Sequence, residues 1–84
     1  MFYSYILQSQ KHGKYYIGSC EDLSVRVKKH NGGRVRTTKS GIPWIVVHKE
    51  FYESRVEAVR REKQIKSYKG GNAFKKLINQ GRVA

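Results

Sequence analysis

The stretch KYYIGSCEDLSVRVKKHN, residues 14–31, says most about the fold because it changes character halfway along. Its first part, KYYIGS (14–19), is rich in aromatic and branched residues, and so is the earlier run FYSYILQS (2–9). A short connection that holds Gly13 joins the two runs. Two strand-like runs across such a connection predict a β-hairpin.

The second part of the stretch predicts a helix. The residues LSVRVKKHN begin at Leu23, and Asp22 stands before them as a candidate N-cap. Leu23 and Val27, four residues apart, predict the buried face. Arg26 and His30 lie beside them, one turn apart, and we expect both at the edge of the buried stripe. The alternative is that the arginine extends into water and the histidine is exposed near the helix C-terminus.

The following residues predict one more strand and a second helix. GRVRTTKSGIP (33–43) predicts a basic loop, and WIVVHKEFY (44–52) has the composition of a strand. Ser54 and Glu57 predict a capping box, in which each side chain bonds the backbone amide of the other residue. A helix of about 14 residues should follow and end at Gly70-Gly71.

AFKKLINQ (73–80) predicts a last helix, which Asn72 caps and Gly81 stops. The order of elements is then β-β-α-β-α-α, without a repeated βαβ unit. We therefore expect an α+β fold, in which helices flank a three-stranded antiparallel sheet.

Length and charge indicate the class of protein. A chain of 84 residues buries enough surface for one small core, so residues 1–84 are expected to form a single domain. The 18 Lys and Arg residues against 6 Asp and Glu give a formal net charge of +12. Such self-repulsion favours a polyanionic partner, nucleic acid above all. The alternatives are a soluble, over-basic protein and a ribosome-associated one.

Cysteine content and hydropathy bear on location. Cys20 is the only cysteine, which excludes an intrachain disulfide and a cysteine-rich metal site and fits a reducing compartment. The opening MFYSYILQSQK lacks a basic n-region and a long apolar run. We therefore expect a cytoplasmic protein without a membrane role.

One carboxylate stands where an apolar residue is expected. On a helical wheel, Glu62 falls within the apolar arc that Ala58, Val59 and Ile65 define. An ionised carboxylate directed at a core is costly unless it is paired or bound to a metal. Two interpretations remain open, a structural ion pair with one of the many Lys and Arg residues and a metal ligand.

Taken together, these residues resemble the GIY-YIG nucleases along nearly the whole chain. The YIG of the family name stands as Tyr16-Ile17-Gly18. Tyr3-Ser4-Tyr5 corresponds to the first motif, of which only the last tyrosine matches. The family places an arginine on a helix ten residues after the YIG tyrosine, where Arg26 stands, and His30-Asn31 follow.

A later motif of the family is similar to EAVRRE (57–62), and its second glutamate, the metal ligand, corresponds to Glu62. The REKQIKSYK that overlaps it also resembles small single-domain bacterial members. The chain is excinuclease-like as well, because it is similar to the N-terminal nuclease domain of an excinuclease. The resemblance implies the GIY-YIG fold and a metal-dependent DNA endonuclease of repair or recombination.

The resemblance also implies a role for each motif residue. Glu62 would hold one Mg²⁺ or Mn²⁺ ion, and Arg26 would hold the scissile phosphate through two N–H groups. Tyr16 would be the base, with His30 as the rival base or as a phosphate donor, and Tyr5 would bond to their network. A free phenol has a pKa of about 10, so such a base needs nearby positive charge at neutral pH.

Further basic residues are expected to follow the backbone of the substrate without reading its sequence. An ordinary solvated basic face is the alternative for each of them. These residues are Lys28, Lys29, Arg34, Arg36 and Lys39. Trp44 could stack on a base, but its place at the head of a strand favours the core.

DNA is the expected partner, and RNA remains an alternative polyanion. We expect low sequence specificity, because these 84 residues contain no separate recognition domain. The second hypothesis is a nucleic-acid-binding module of the same fold with little or no catalysis of its own. The sequence leaves the oligomeric state open, a monomer included.

Overall fold

The computed structural model describes residues 1–79, which form a sheet, α-helices and one short 3₁₀ helix. Strands and α-helices follow in the order β-β-α-β-α-α, which confirms the predicted α+β class. The predicted helix end at Gln80 and its stop at Gly81 lie outside the described residues. The elements are β1 (Phe2–Ser9), β2 (Tyr15–Cys20), α1 (Leu23–Asn31), the 3₁₀ helix (Arg36–Gly41), β3 (Trp44–Tyr52), α2 (Arg55–Ser67) and α3 (Asn72–Asn79).

The three strands form one antiparallel sheet in the order β2-β1-β3. β1 therefore lies in the centre, and β2 and β3 are its two edges. Ser4 to Leu7 of β1 are all buried, because helices cover both faces of the sheet. A register shift between Ile6 and Leu7 leaves Val47 of β3 as the additional residue of a bulge.

Strand alternation divides the core into two clusters, one on each face of the sheet. α1 packs Leu23 and Val27 against the first cluster, and α2 and α3 cover the second. The buried residues beneath α1 are Tyr5, Leu7, Cys20 and Trp44. Those of the second cluster are Ile6, Ile65, Phe74, Leu77 and Ile78.

Several element boundaries follow the sequence pattern, and others differ from it. β1, α1 and β3 have the predicted bounds, and the side chain of Asp22 caps α1 as predicted. β2 lies one residue later than 14–19. The segment 33–43 contains a 3₁₀ helix rather than only a loop. A contact from outside the segment holds that helix, since the Trp44 indole donates to the Thr38 carbonyl (2.7 Å).

Only one of the two hydrogen bonds of the predicted capping box forms at the start of α2. The amide of Glu57 donates to the Ser54 hydroxyl oxygen (3.2 Å), as predicted. The Glu57 carboxylate, however, accepts from the Ser54 hydroxyl (3.0 Å) rather than from the Ser54 amide. The hydroxyl proton competes with the amide for the same carboxylate, and here it is the donor. α2 then runs for 13 residues and ends at Ser67.

Hydrogen bonds from the sheet hold α2 in place. The Ser4 hydroxyl of β1 donates to the Ala58 carbonyl (2.7 Å). Glu50 of β3 accepts from Nε and Nη2 of Arg61 (2.7 and 3.0 Å) and from the Tyr52 hydroxyl (2.6 Å). The central strand and one edge strand therefore both fix the helix that carries Glu62.

We predict that Glu50→Gln destabilises the protein at neutral pH but not in acid. Burial opposes the ionisation of Glu50, but hydrogen bonds from Arg61, Tyr52 and His48 outweigh it and lower the pKa from 4.5 to about 2. This stabilisation is therefore present above pH 4.5 and is lost as the pH falls toward 2. At neutral pH the variant should lose on the order of 2 kcal/mol of unfolding free energy.

Urea unfolding followed by circular dichroism across this pH range tests the prediction. The exposed Glu53, changed to Gln, is the matched control and should retain the wild-type pH profile. The prediction would be contradicted if the wild type and Glu50→Gln lost the same unfolding free energy as the pH falls from 4.5 toward 2.

Candidate active site

Tyr5 and Gly18 face each other across β1 and β2 and set the geometry of the candidate site. The Tyr5 ring lies over the glycine, because a Cβ atom at position 18 would stand 2.6 Å from Tyr5 Oη. It would also stand 3.1 Å from a ring carbon of Tyr16. Gly18 therefore allows both rings to occupy one face of the sheet, with centroids 6.3 Å apart.

His30 of α1 lies fully buried between Tyr5 and the 3₁₀ helix. The Thr38 hydroxyl donates to the Val35 carbonyl (3.3 Å), so its oxygen accepts the Nδ1 proton of His30 (2.8 Å). Nε2 is then unprotonated and accepts from the Tyr5 hydroxyl (3.2 Å). The Tyr16 ring packs against the imidazole, with centroids 4.8 Å apart.

The directions of the pKa shifts agree with this assignment. Burial lowers the pKa of His30 and the charge of Arg26 lowers it further, so the imidazole stays neutral at pH 7. Burial raises the pKa of Tyr5 far above its ordinary value, so the phenol keeps the proton that it donates. The predicted edge position is therefore wrong for His30, because both of its nitrogens find partners inside the protein.

Arg26, one turn before His30, does lie at the edge of the buried stripe. Its half-buried side chain lines a pocket of about 180 Å³ between α1 and the start of α2. Among residues 1–79, no carboxylate forms a salt bridge with it. Glu21 and Asp22 line the same pocket without pairing with the guanidinium, whose charge also acts inward on His30.

Glu62 approaches the same edge strand from the opposite face of the sheet. Its carboxylate accepts from the Ser19 hydroxyl of β2 (2.6 Å) and pairs with Lys66 Nζ (2.6 Å). Ser19 follows Gly18 directly, so its side chain points away from the tyrosines. The ion pair considered for Glu62 is therefore present, and 18% of the Glu62 side chain remains exposed.

Glu62 offers a cation a single carboxylate, which bonds Ser19 and Lys66 in this structure. Among the described residues, no three His, Cys, Asp or Glu side chains group closely enough to form a metal site. Mg²⁺ accepts a single carboxylate, because it keeps several waters and takes further ligands from substrate phosphates. Glu62 is partly exposed and its partner Lys66 is 53% exposed, so the lysine can release its oxygen.

Tyr5 lies at the centre of the aromatic part of the candidate site. Burial is the largest cause of its raised pKa. The Tyr16 phenol and the Glu62 carboxylate raise it further, whereas Arg26 lowers it. Tyr16 and His30 lie directly against the phenol, Arg26 lies one turn before His30 on α1, and Glu62 bonds the residue next to Gly18. The two tyrosines and the histidine pack together. Arg26 and Glu62 lie on opposite faces of the sheet at β2.

The predicted backbone-binding residues all lie exposed on α1 and on the segment that follows it. They are Lys28, Lys29, Arg34, Arg36 and Lys39. Trp44 is only 5% exposed and belongs to the core, so its ring does not offer a surface for a base.

Sequence reasoning missed Thr38 and Ser19 and noted Asn31 only as part of a motif. Asn31 accepts from the Trp44 amide (2.6 Å) and donates to the Trp44 carbonyl (3.0 Å), which ties the end of α1 to β3. No local signal marks Ser19, whose partner Glu62 lies 43 positions away in the chain. Thr38 stands in a segment predicted as a loop, and nothing in that pattern indicates a buried hydroxyl.

Comparison with known proteins identifies the class. A family model described as the GIY-YIG catalytic domain matches residues 1–76. The chain therefore belongs to the GIY-YIG family, a nuclease family whose substrates are nucleic acids, and the resemblance inferred from its motifs is confirmed.

Similar proteins carry the name UPF0213. A UPF0213 protein of Staphylococcus aureus strain Mu3 is 42% identical over 57 residues, which cover 67% of this chain and 70% of that protein. UPF0213 protein SAV0488 of strain Mu50 has the same identity and coverage. The solution NMR structure of UPF0213 protein BH0048 from Bacillus halodurans is 31% identical, with a TM-score of 0.47, and the match covers 87% of this chain and 90% of that one. No helix within residues 1–79 has the length and apolar character to cross a membrane.

We predict that His30 stays neutral and protonated at Nδ1 at pH 6.5, the ordinary pKa of a histidine. Burial disfavours the imidazolium, and Tyr5 requires an acceptor at Nε2. Proton–nitrogen correlation spectra of the imidazole rings measure both the charge and the tautomer.

Two threonine variants control this measurement. Thr38→Val removes the Nδ1 acceptor and should change the His30 signals, whereas Thr37→Val, at the exposed neighbouring position, should not. Protons on both nitrogens of His30 at pH 6.5 would contradict the assignment.

Proposed function

We propose that this protein is a metal-dependent DNA endonuclease that hydrolyses phosphodiester bonds at the edge strand β2. One observation carries the proposal. The Tyr5 phenol bonds His30 and lies beside Tyr16, while Arg26 of α1 and Glu62 of α2 reach the same edge strand from the two faces of the sheet.

Arg26 is proposed to bind the scissile phosphate. Its guanidinium lines an open pocket and lacks a carboxylate partner among residues 1–79. Two of its N–H groups can bond one phosphate, and its permanent charge offsets the negative charge that develops in the transition state.

Tyr16 is proposed to take the proton from the attacking water, or to orient that water. The alternatives are less suited to this task. Tyr5 holds its proton in a bond to His30, and both nitrogens of His30 are occupied within the core. Tyr16 is half-buried, at the open side of the same cluster. We therefore assign His30 and Tyr5 as positioning residues that hold the Tyr16 ring.

Glu62 is proposed to hold one Mg²⁺ or Mn²⁺ ion. When bound, such an ion stabilises negative charge on the phosphate and on the leaving oxygen. Ser19 donates to the Glu62 carboxylate (2.6 Å) and so fixes its direction at β2. Lys66 neutralises the carboxylate in the absence of the ion, and its exposed position lets it withdraw.

The substrate is proposed to be DNA, cleaved with low sequence specificity. The basic surface of α1 and the following segment contains Lys and Arg side chains, which suit phosphates and carry little sequence information. A setting in DNA repair or recombination accords with such a site. RNA is the alternative substrate, and the assay below separates the two.

We predict that Glu62→Gln folds and binds DNA but does not cleave it at any Mg²⁺ or Mn²⁺ concentration. The amide keeps the shape of the side chain and loses the charge that holds the ion. Plasmid DNA, branched DNA and RNA are incubated with the wild type and the variant, with either metal or with EDTA. Glu57→Gln, at an exposed position on the same helix, is the matched control and should cleave normally.

The outcomes of this assay separate the hypotheses. Metal-dependent nicking by the wild type and by Glu57→Gln supports the endonuclease, and the preferred polymer identifies the substrate. Binding that is insensitive to EDTA, without cleavage in any condition, favours a binding module of the same fold. Equal cleavage by Glu62→Gln would exclude Glu62 from the site or reveal a contaminating nuclease.

We predict that Tyr16→Phe lowers the single-turnover cleavage rate by on the order of 10²-fold or more, the range of a lost proton-transfer group. The change removes one hydroxyl and keeps the ring that packs on His30. Tyr15→Phe alters the exposed neighbouring residue and should cleave at the wild-type rate. A near-normal rate for Tyr16→Phe would remove Tyr16 as the base.

A further inference from the structure

The outer face of α2 carries a basic groove that has no part in the site described above. Arg55, Arg60 and Lys63 line it, and Val56 and Val59 form its floor. The groove is shallow and open, with a volume of about 390 Å³. Val56 is 65% exposed, and the aliphatic stems of long basic side chains can cover such a residue.

The cations of α2 fall into two groups. Arg61 and Lys66 pair with Glu50 and Glu62. The three cations of the groove make no salt bridge with any residue of the described range 1–79. In a chain with a net charge of +12, unpaired cations that share one groove repel one another, and an external anion would relieve that repulsion.

The groove adjoins the pocket of Arg26. Arg55 lines both cavities, together with Lys63 in one and with Arg26 in the other. Its guanidinium carbon lies 4.9 Å from the centre of the Phe2 ring, which holds the side chain at the junction. Arg55 and Lys63 lie near the two ends of the groove, which therefore runs for roughly 12 Å along α2.

We propose that Arg55, Arg60 and Lys63 of α2 form a second surface for the nucleic-acid backbone, which binds the substrate beyond the phosphate held by Arg26. The surface contains cations and aliphatic stems, so it binds phosphates and does not read bases. The substrate then spans from α1 across the β2 edge onto α2. The placement of the cleaved phosphate at Arg26 rests on the proposed function. The binding surface on α2 does not depend on it.

Binding without cleavage tests the surface independently of catalysis. The variant Arg60→Gln/Lys63→Gln is compared with Lys75→Gln/Lys76→Gln, which removes two exposed charges from α3, away from the Arg26 pocket. Fluorescence anisotropy of a labelled DNA duplex is measured in EDTA over a salt series. The α2 variant should bind on the order of tenfold more weakly, and its log-affinity slope against log salt should fall by about 2. The α3 variant should retain the wild-type slope.

Each outcome decides the question. If both variants lost the same affinity and slope, the loss would reflect only the lower net charge, and the proposal would be overturned. An unchanged slope in the α2 variant would also overturn it. A reduced slope confined to the α2 variant supports the surface even if Glu62→Gln shows that the protein does not cleave DNA. Repeating the titration with Arg26→Gln as a third variant checks that the two cavities contribute separate contacts.

Discussion

The packing of Tyr5 over Gly18 is the constraint that holds the candidate site together. Any side chain at position 18 would enter the space of the phenol, 2.6 Å from its oxygen. With glycine there, the buried hydroxyl reaches His30, and a buried hydroxyl requires such a partner. Thr38 completes the chain of bonds. Two strands, α1 and the 3₁₀ helix are thereby joined at one point, against which Tyr16 packs.

Strand alternation decides from which side each charged group acts. The pair Tyr5 and Gly18 faces α1, and the adjacent pair Ser4 and Ser19 faces α2. Both serines bond α2, and the second holds the Glu62 carboxylate. Because β2 is an edge strand, a phosphodiester at this edge would meet cations of α1 on one side and the carboxylate of α2 on the other. This division explains why the site needs helices on both faces of the sheet.

Burial distinguishes residues that hold the candidate site from residues that are proposed to meet a substrate. His30 has no exposed surface and a lowered pKa, which suits a fixed hydrogen-bond acceptor rather than a group that exchanges protons with water. Tyr16 and Arg26 are half-buried in the same region. The histidine of this motif can therefore act by holding its neighbours in position rather than by exchanging protons.

The order of residues was enough to predict the strands and α-helices of the fold and, through separated motifs in the right order, the family. It also placed Arg26 beside the core stripe of α1, because residue spacing fixes the direction of a side chain about its own helix axis. Three-dimensional packing was needed to bury His30, to make Thr38 and Ser19 the partners of the site, and to bring Glu62 in from the opposite face. The physical reason is that burial and hydrogen-bond partners depend on contacts between segments far apart in the chain, which local patterns do not specify.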